Sequence, residues 1–204
     1  MSRTVSRLLS SLRADVTHDV DLWTELDSHA DTTCAGANCI VLETAQQVVD
    51  VTPYNKNKYE PETNIPIVKA ATAHTTSTGT TYILVLNQAL YLPELDHSLL
   101  NPNQMRANGV IVDDCPQHLS DPNKPSTHSL YFPEHQVCIP LEMGGIFSRF
   151  SSRQPTSEEL ENCLWLPLTS DLEWDPHSPS FAENEFQMVD IGHQEQRERV
   201  IYEV

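Results

Sequence analysis

The stretch Leu26-Asp27-Ser28-His29-Ala30-Asp31-Thr32 places two carboxylates, a hydroxyl and an imidazole within five positions, just after the apolar pair Leu22-Trp23. It reads as a strand running into a tight turn. A carboxylate in such a place can take a proton from water as a base, or polarise a carbonyl when protonated. Taken alone, a carboxylate at a strand end is ordinarily solvated surface, so the interest of Asp27 lies in its neighbours. Ser28 offers a hydroxyl to adjacent backbone, Ala30 leaves room for close approach, and Asp31 can receive the amides of a bound peptide.

The alternation of Asp27, His29 and Asp31 offers a second chemistry. On an extended strand all three share one face. With Cys34 or Cys39 they would make a mixed oxygen, nitrogen and sulfur ligand set. The H-x-D spacing has parallels in metallo-hydrolases, but Thr32 stands where their second adjacent histidine would be. A surface or structural His29 is the simpler reading, and the sequence calls for no metal and no cofactor.

The elements that must carry these groups are short. The chain has 204 residues, enough for one domain with tails, and is rich in proline (14) and poor in glycine (6). Strand patterns run from about residue 19 to 150: Val20–Leu26, Ile40–Leu42, Val48–Val51, Ile65–Ala73, Thr80–Leu86 and Ala89–Leu92. Between Val68 and Tyr82 lies a hairpin whose Thr-rich, uncharged tip contains Gly79 and is a candidate cover for a cleft. Asn101 as N-cap, Pro102 at the first position and Gly109 as the stop predict one short helix over 102–108. Thr156 and Glu159 form a capping box that starts a second.

Residues 1–18, with Arg3, Arg7 and Arg13 around Leu8-Leu9 and Leu12, read as a flexible leader. Residues 151–204 read as an extension that turns acidic, irregular and partly disordered from about 170. The fold class expected is all-β: an antiparallel domain, with little helix.

Twelve Lys and Arg against 29 Asp and Glu give a formal charge of −17, which argues against a nucleic-acid partner. No apolar run approaches the ~20 residues that cross a bilayer, so no membrane role is expected. Five scattered cysteines without a C-x-x-C pair suit reduced thiols in the cytoplasm, with the nucleus as alternative.

With glycine at position 29, the turn would read D-S-G-A-D-T, the signature of retroviral-type aspartic proteases; His29 departs from it. Further segments extend the likeness: Val49-Asp50-Val51-Thr52-Pro53, Ile65-Pro66-Ile67-Val68, Thr81-Tyr82-Ile83-Leu84-Val85, and Ala89-Leu90-Tyr91-Leu92-Pro93. So do His97-Ser98-Leu99-Leu100-Asn101-Pro102-Asn103-Gln104-Met105, Leu166-Pro167-Leu168-Thr169-Ser170 and Glu173-Trp174-Asp175-Pro176. Over roughly residues 20–175 the chain resembles the protease region of copia-type retrotransposon polyproteins.

That resemblance implies a retropepsin-like, closed barrel-like β domain over 19–150 and an aspartic endopeptidase acting on a peptide or polyprotein. It makes Asp27 the catalytic residue, Ser28, His29 and Ala30 the active-site loop, and Asp31 a substrate-binding residue. The apolar pair Leu99 and Leu100 would support the loop from the strand crossing beneath it. Such enzymes use two carboxylates sharing one proton. One D-S-x-A element per chain then implies a homodimer, the nearest echo being Leu95-Asp96-His97-Ser98. Loss of cleavage would leave a non-catalytic dimerisation or peptide-binding module.

Overall fold

Apolar runs and their polar interruptions decide which strands lie inside. The computed structural model describes residues 22–52 and 58–188; the leader and the end of the tail lie outside them. The strands in chain order are β1 (Trp23–Leu26), β2 (Cys34–Ala35), β3 (Ile40–Val51), β4 (Glu62–Thr75), β5 (Thr81–Tyr91) and β6 (Ser98–Leu100). Helix α1 (Pro102–Ala107) leads to β7 (Ile111–Asp113), β8 (Ser129–Phe132), β9 (Val137–Pro140), β10 (Glu142–Gly144) and β11 (Phe147–Ser151). Helix α2 (Ser157–Asn162) and β12 (Leu164–Pro167) follow. The protein is mostly β-sheet. No helix among the described residues is long and apolar enough to cross a membrane.

The main sheet runs β10-β11-β1-β6-β2-β5-β4-β3, with β12 also paired to β5; β7, β8 and β9 form a second sheet. The closed barrel expected from the resemblance is not formed: the path ends on β10 and β3, which do not pair with each other. β10 is only three residues long, and β3 exposes Glu43, Gln46 and Gln47, so neither edge is built for further burial. Nor is the sheet purely antiparallel. β1 with β6, β2 with β5 and β12 with β5 are parallel pairs.

β5 is the central strand, flanked by β4 on one side and by β12 and β2 on the other. Its run Ile83-Leu84-Val85-Leu86 is buried throughout, as a strand covered on both faces requires. The main core gathers Leu26, Leu84, Leu100, Met105, Ile139 and Phe150.

Two breaks expected from the sequence do not interrupt the strands. Ile40–Leu42 and Val48–Val51 belong to one strand, irregular in register between Thr44 and Val48. Thr80–Leu86 and Ala89–Leu92 are likewise joined in β5, which runs Thr81–Tyr91 with Gln88 at φ 51° inside it. The polar Asn87-Gln88 pair resembles a turn, yet Asn87 is buried. Its N–H donates to Thr169 Oγ1 (2.8 Å), its Nδ2 to the Thr169 carbonyl (2.7 Å), and its carbonyl accepts from Thr169 Oγ1 (2.7 Å). The region read as an extension therefore supplies both a strand and polar partners to the main sheet.

The tail read as irregular from about 170 contains turns and then a helical segment over 180–188.

Both helices begin where their caps predict. Asn101 Oδ1 accepts the N–H groups of Asn103 (2.7 Å) and Gln104 (2.9 Å), and the Thr156–Glu159 capping box is complete. Glu159 also receives Arg153, at 2.8 and 2.5 Å, which ties α2 to the end of β11. The guanidinium, with the Thr156 backbone amide next, holds the Glu159 carboxyl down to about 2, from the usual 4.5. A carboxylate depressed in the folded state stabilises above its unfolded pKa and loses that contribution as pH falls through the folded one. Glu159→Gln is expected to flatten the part of the acid unfolding profile between pH about 4.5 and about 2. Tm measured against pH checks it.

Candidate active site

β1 delivers the site. Thr24 and Leu26 are buried toward the core, and the strand ends as the chain turns at Asp27. β6 threads between β1 and β2, pairing Leu26 with Leu100 in parallel and Cys34 with Leu99 in antiparallel register. The Asp27 N–H continues this ladder by donating to the Leu100 carbonyl (2.9 Å). The structure thus brings the Asp27 turn and the Leu99-Leu100 pair together. Leu100 is fully buried, while Leu99 packs with Cys34, Ile65 and Leu90.

The turn closes on itself. Asp27 Oδ1 accepts the His29 N–H (2.8 Å), an Asx turn that orients the carboxylate with about a third of its side chain exposed. Ser28 is exposed at the tip, Ala30 is half-buried and Asp31 is exposed. The His29 imidazole is 95% exposed, with Nδ1 3.9 Å from Asp27 Oδ1. Its backbone φ is not positive, so this turn does not require glycine at position 29.

A clamp holds the other side of the loop, only part of it legible in the sequence. Asn101, read there as a helix cap, also donates through Nδ2 to the Ala30 carbonyl (2.5 Å). Its N–H donates to Thr33 Oγ1 (3.2 Å), and Gln104 Oε1 accepts the Thr33 N–H (2.9 Å). The start of α1 therefore fixes the loop from Ala30 to Thr33. Asn101→Ala is expected to cost about 2–3 kcal/mol, combining a lost cap with an unpaired carbonyl. Asn101→Asp keeps the acceptor but sets a carboxylate oxygen against the Ala30 carbonyl, at about 1–3 kcal/mol. Urea unfolding of both variants separates the two roles.

Beneath the crossing lies a buried polar network centred on Asn38, which the sequence did not single out. Its Nδ2 lies 2.9 Å from Thr24 Oγ1, 2.8 Å from Ser152 Oγ and 3.2 Å from the Trp23 carbonyl. Its Oδ1 accepts from Ser98 Oγ (2.7 Å), and its carbonyl from Thr72 Oγ1 (3.0 Å). Asn38 joins β1, β4, β6 and the residue after β11, all with full burial of its own side chain. Nearby, Gly36 admits no Cβ: one built there would meet the His97 carbonyl oxygen at 2.5 Å and the Leu95 carbonyl oxygen at 2.8 Å. Backbone cannot yield as a flexible side chain would, so the chain crosses here because position 36 is glycine.

An open cleft of about 610 Å³ adjoins the turn. His29, Ala30 and Asp31 border it on one side, and Val49–Thr52 of the β3–β4 hairpin on another. The Thr-rich hairpin tip expected as a cover is elsewhere. Thr76 and Thr80 close it by backbone and side-chain hydrogen bonds beside Arg153, roughly 30 Å of strand from the cleft-lining Ile67. Of the two arms, that of β3 and β4 faces the site.

The metal alternative finds no support in this geometry. Residues 28–29 form a turn, not a strand, so the alternation does not align three side chains. No group of three or more His, Cys, Asp or Glu among the described residues could hold a metal ion. The Cys34 thiol is pushed up to about 11 by burial and by the negative charges of Asp31 and Asp27; it stays protonated near neutral pH. Cys39 is buried, bonded to Ser98 Oγ (3.1 Å), and likewise raised to about 11, first by burial.

No protein-family model, curated protein or solved structure matches this chain. Asp96, the nearest echo of Asp27, precedes β6 at the end remote from Leu100 and so does not face Asp27.

Proposed function

We propose that this chain is a retropepsin-like aspartic endopeptidase, related to the copia-type retrotransposon proteases, whose catalytic pair is the Asp27 of two copies of the chain. The observation that carries this reading is the crossing of β6 between β1 and β2, which holds Asp27 at a strand end, two residues before the segment 29–32 that lines an open cleft. A carboxylate so held is supported from below by a buried ladder and an apolar pair, and remains reachable from above.

The chemistry follows from two such groups about 3 Å apart, which hold one proton between them. The ionised carboxylate takes a proton from water as the oxygen attacks the scissile carbonyl. The protonated one donates a hydrogen bond to the carbonyl oxygen, where negative charge develops. Collapse of the tetrahedral intermediate breaks the C–N bond, and a proton passes to the leaving amine. Asp31, exposed two residues past His29, would receive the main-chain amides of the substrate. Because the pair must hold one proton, the rate should fall at both low and high pH.

Incubating the chain with denatured protein at acidic and neutral pH tests this directly. Cleavage should be blocked by pepstatin, and in the dilute range its rate should rise with the square of chain concentration, because two copies make one site. Cleavage linear in concentration and indifferent to pepstatin would sink the proposal. Peptide binding without cleavage would identify a non-catalytic module instead.

His29 is the position that departs from the family. Since its φ is not positive and its ring is in solvent, His29→Gly should preserve cleavage. It should also lower stability by roughly 0.4–1 kcal/mol, through the greater freedom of glycine in the unfolded chain. Cleavage assays and urea midpoints of the two proteins check both parts.

A further inference from the structure

After β12 the chain returns to the cleft. Trp174, 143 positions from Asp31 in sequence, donates its indole N–H to the Asp31 carbonyl (3.0 Å). The indole ring packs on Phe181 at 5.4 Å and 57°. Trp174 and Pro176 border the cleft that Ile67 and Leu90 also line. Those two aliphatic residues, with Val49, belong to a small apolar cluster of the sheet. One wall of the slot is thus tied to the loop that carries Asp27, and the other is backed by that apolar cluster.

We propose that Trp174 is a specificity-determining residue, forming with Pro176, Ile67 and Leu90 a pocket for an apolar side chain of an extended peptide lying across the Asp27 turn. The inference rests on the endopeptidase reading above and adds to it the class of side chain recognised. Three features support it. The indole hydrogen bond reaches only four residues past Asp27, so the wall keeps its position relative to the carboxylate. The segment borders the void instead of filling it, and a volume of about 610 Å³ accommodates a side chain with its flanking backbone. Finally, an indole with its N–H satisfied offers a flat apolar surface without leaving a polar atom unpaired.

Two fluorescein-labelled octapeptides, identical except for a central Leu or Ser, test the pocket. Their dissociation constants are measured by anisotropy with the full chain carrying Asp27→Asn, in which no turnover intervenes. The Leu peptide should bind about tenfold tighter than the Ser peptide, as partial burial of a leucine implies. Adding Trp174→Ala should reduce that ratio to about twofold or less, whereas Trp174→Phe, which keeps an aromatic wall, should retain most of it. A ratio unchanged by Trp174→Ala, or no binding of either peptide, overturns the inference. The same peptides given to the chain with Asp27 intact separate the two ideas. Cleavage with an unaltered Leu/Ser ratio in Trp174→Ala defeats the pocket alone. Trp174-dependent binding without cleavage supports the pocket and defeats the endopeptidase.

Discussion

Asp27→Asn is expected to reduce cleavage by at least about a thousandfold while leaving the unfolding midpoint within about 0.5 kcal/mol of the parent. The amide has the carboxylate's shape and can still accept the His29 N–H through its oxygen, so the Asx turn has what it needs to persist. It can neither take a proton from water nor share one with a second carboxylate. Both halves of the chemistry fail together, because each copy contributes the same residue. A mixed experiment sharpens the point. Adding an excess of Asp27→Asn chain to the active chain should suppress activity beyond simple dilution, since each heterodimer has only one competent carboxylate. Retained cleavage in the variant, with loss on adding a chelator, would replace the aspartic mechanism by a metal-dependent one. Active-site titration and single-turnover rates on a fluorogenic peptide read the effect.

The second large effect is on stability. Asn38→Leu is expected to destabilise the fold by about 3–5 kcal/mol. Leucine keeps the branch at Cγ but is bulkier than asparagine, so overpacking at this fully buried site adds to the cost. The larger part arises from the polar atoms left behind. The Ser98 hydroxyl loses the Asn38 Oδ1 acceptor, and Thr24 Oγ1, Ser152 Oγ and the Trp23 carbonyl lose the Nδ2 donor, with Thr24 and Ser98 fully buried. Thr24 and Ser152 still bond each other at 2.8 Å, which keeps the figure below the sum of separate losses. Against a total of 5–15 kcal/mol for a domain, the loss is enough to populate unfolded chain at ordinary temperature. Urea midpoints with an unchanged m-value would show that the native state lost stability without losing compactness. Because Asn38 ties β1 and β4 to β6, activity should fall more steeply with temperature in this variant than in Asn101→Asp.

The parts of the molecule legible in the sequence are those whose causes are local. Asn101, Pro102 and Gly109 act within one helix, and Thr156 with Glu159 within one turn, so their residue types alone place α1 and the start of α2. The tight turn at Asp27 is likewise local, closed by its carboxylate on the N–H two positions on. Its apolar approach through Leu26 and the apolar pair Leu99-Leu100 were readable as types, and β6 places them side by side. The preference for strands over long helices could be read from proline punctuation, but Pro66 lies within the 14-residue β4 and does not end it.

Other features depended on partners far along the chain. The polar Asn87-Gln88 pair looks like a strand end until Thr169, 82 positions on, satisfies the backbone and side chain of Asn87. Asn38 has no signal of its own; its role comes from Trp23, Thr24, Thr72, Ser98 and Ser152 meeting around it. Which hairpin arm borders the cleft, whether the sheet closes, and that Trp174 lies on Asp31 all follow from strand order and register. Residue types determine what a segment can satisfy locally. Only the tertiary structure decides which distant group arrives to satisfy the rest, because a buried polar atom is stable wherever a partner is delivered to it.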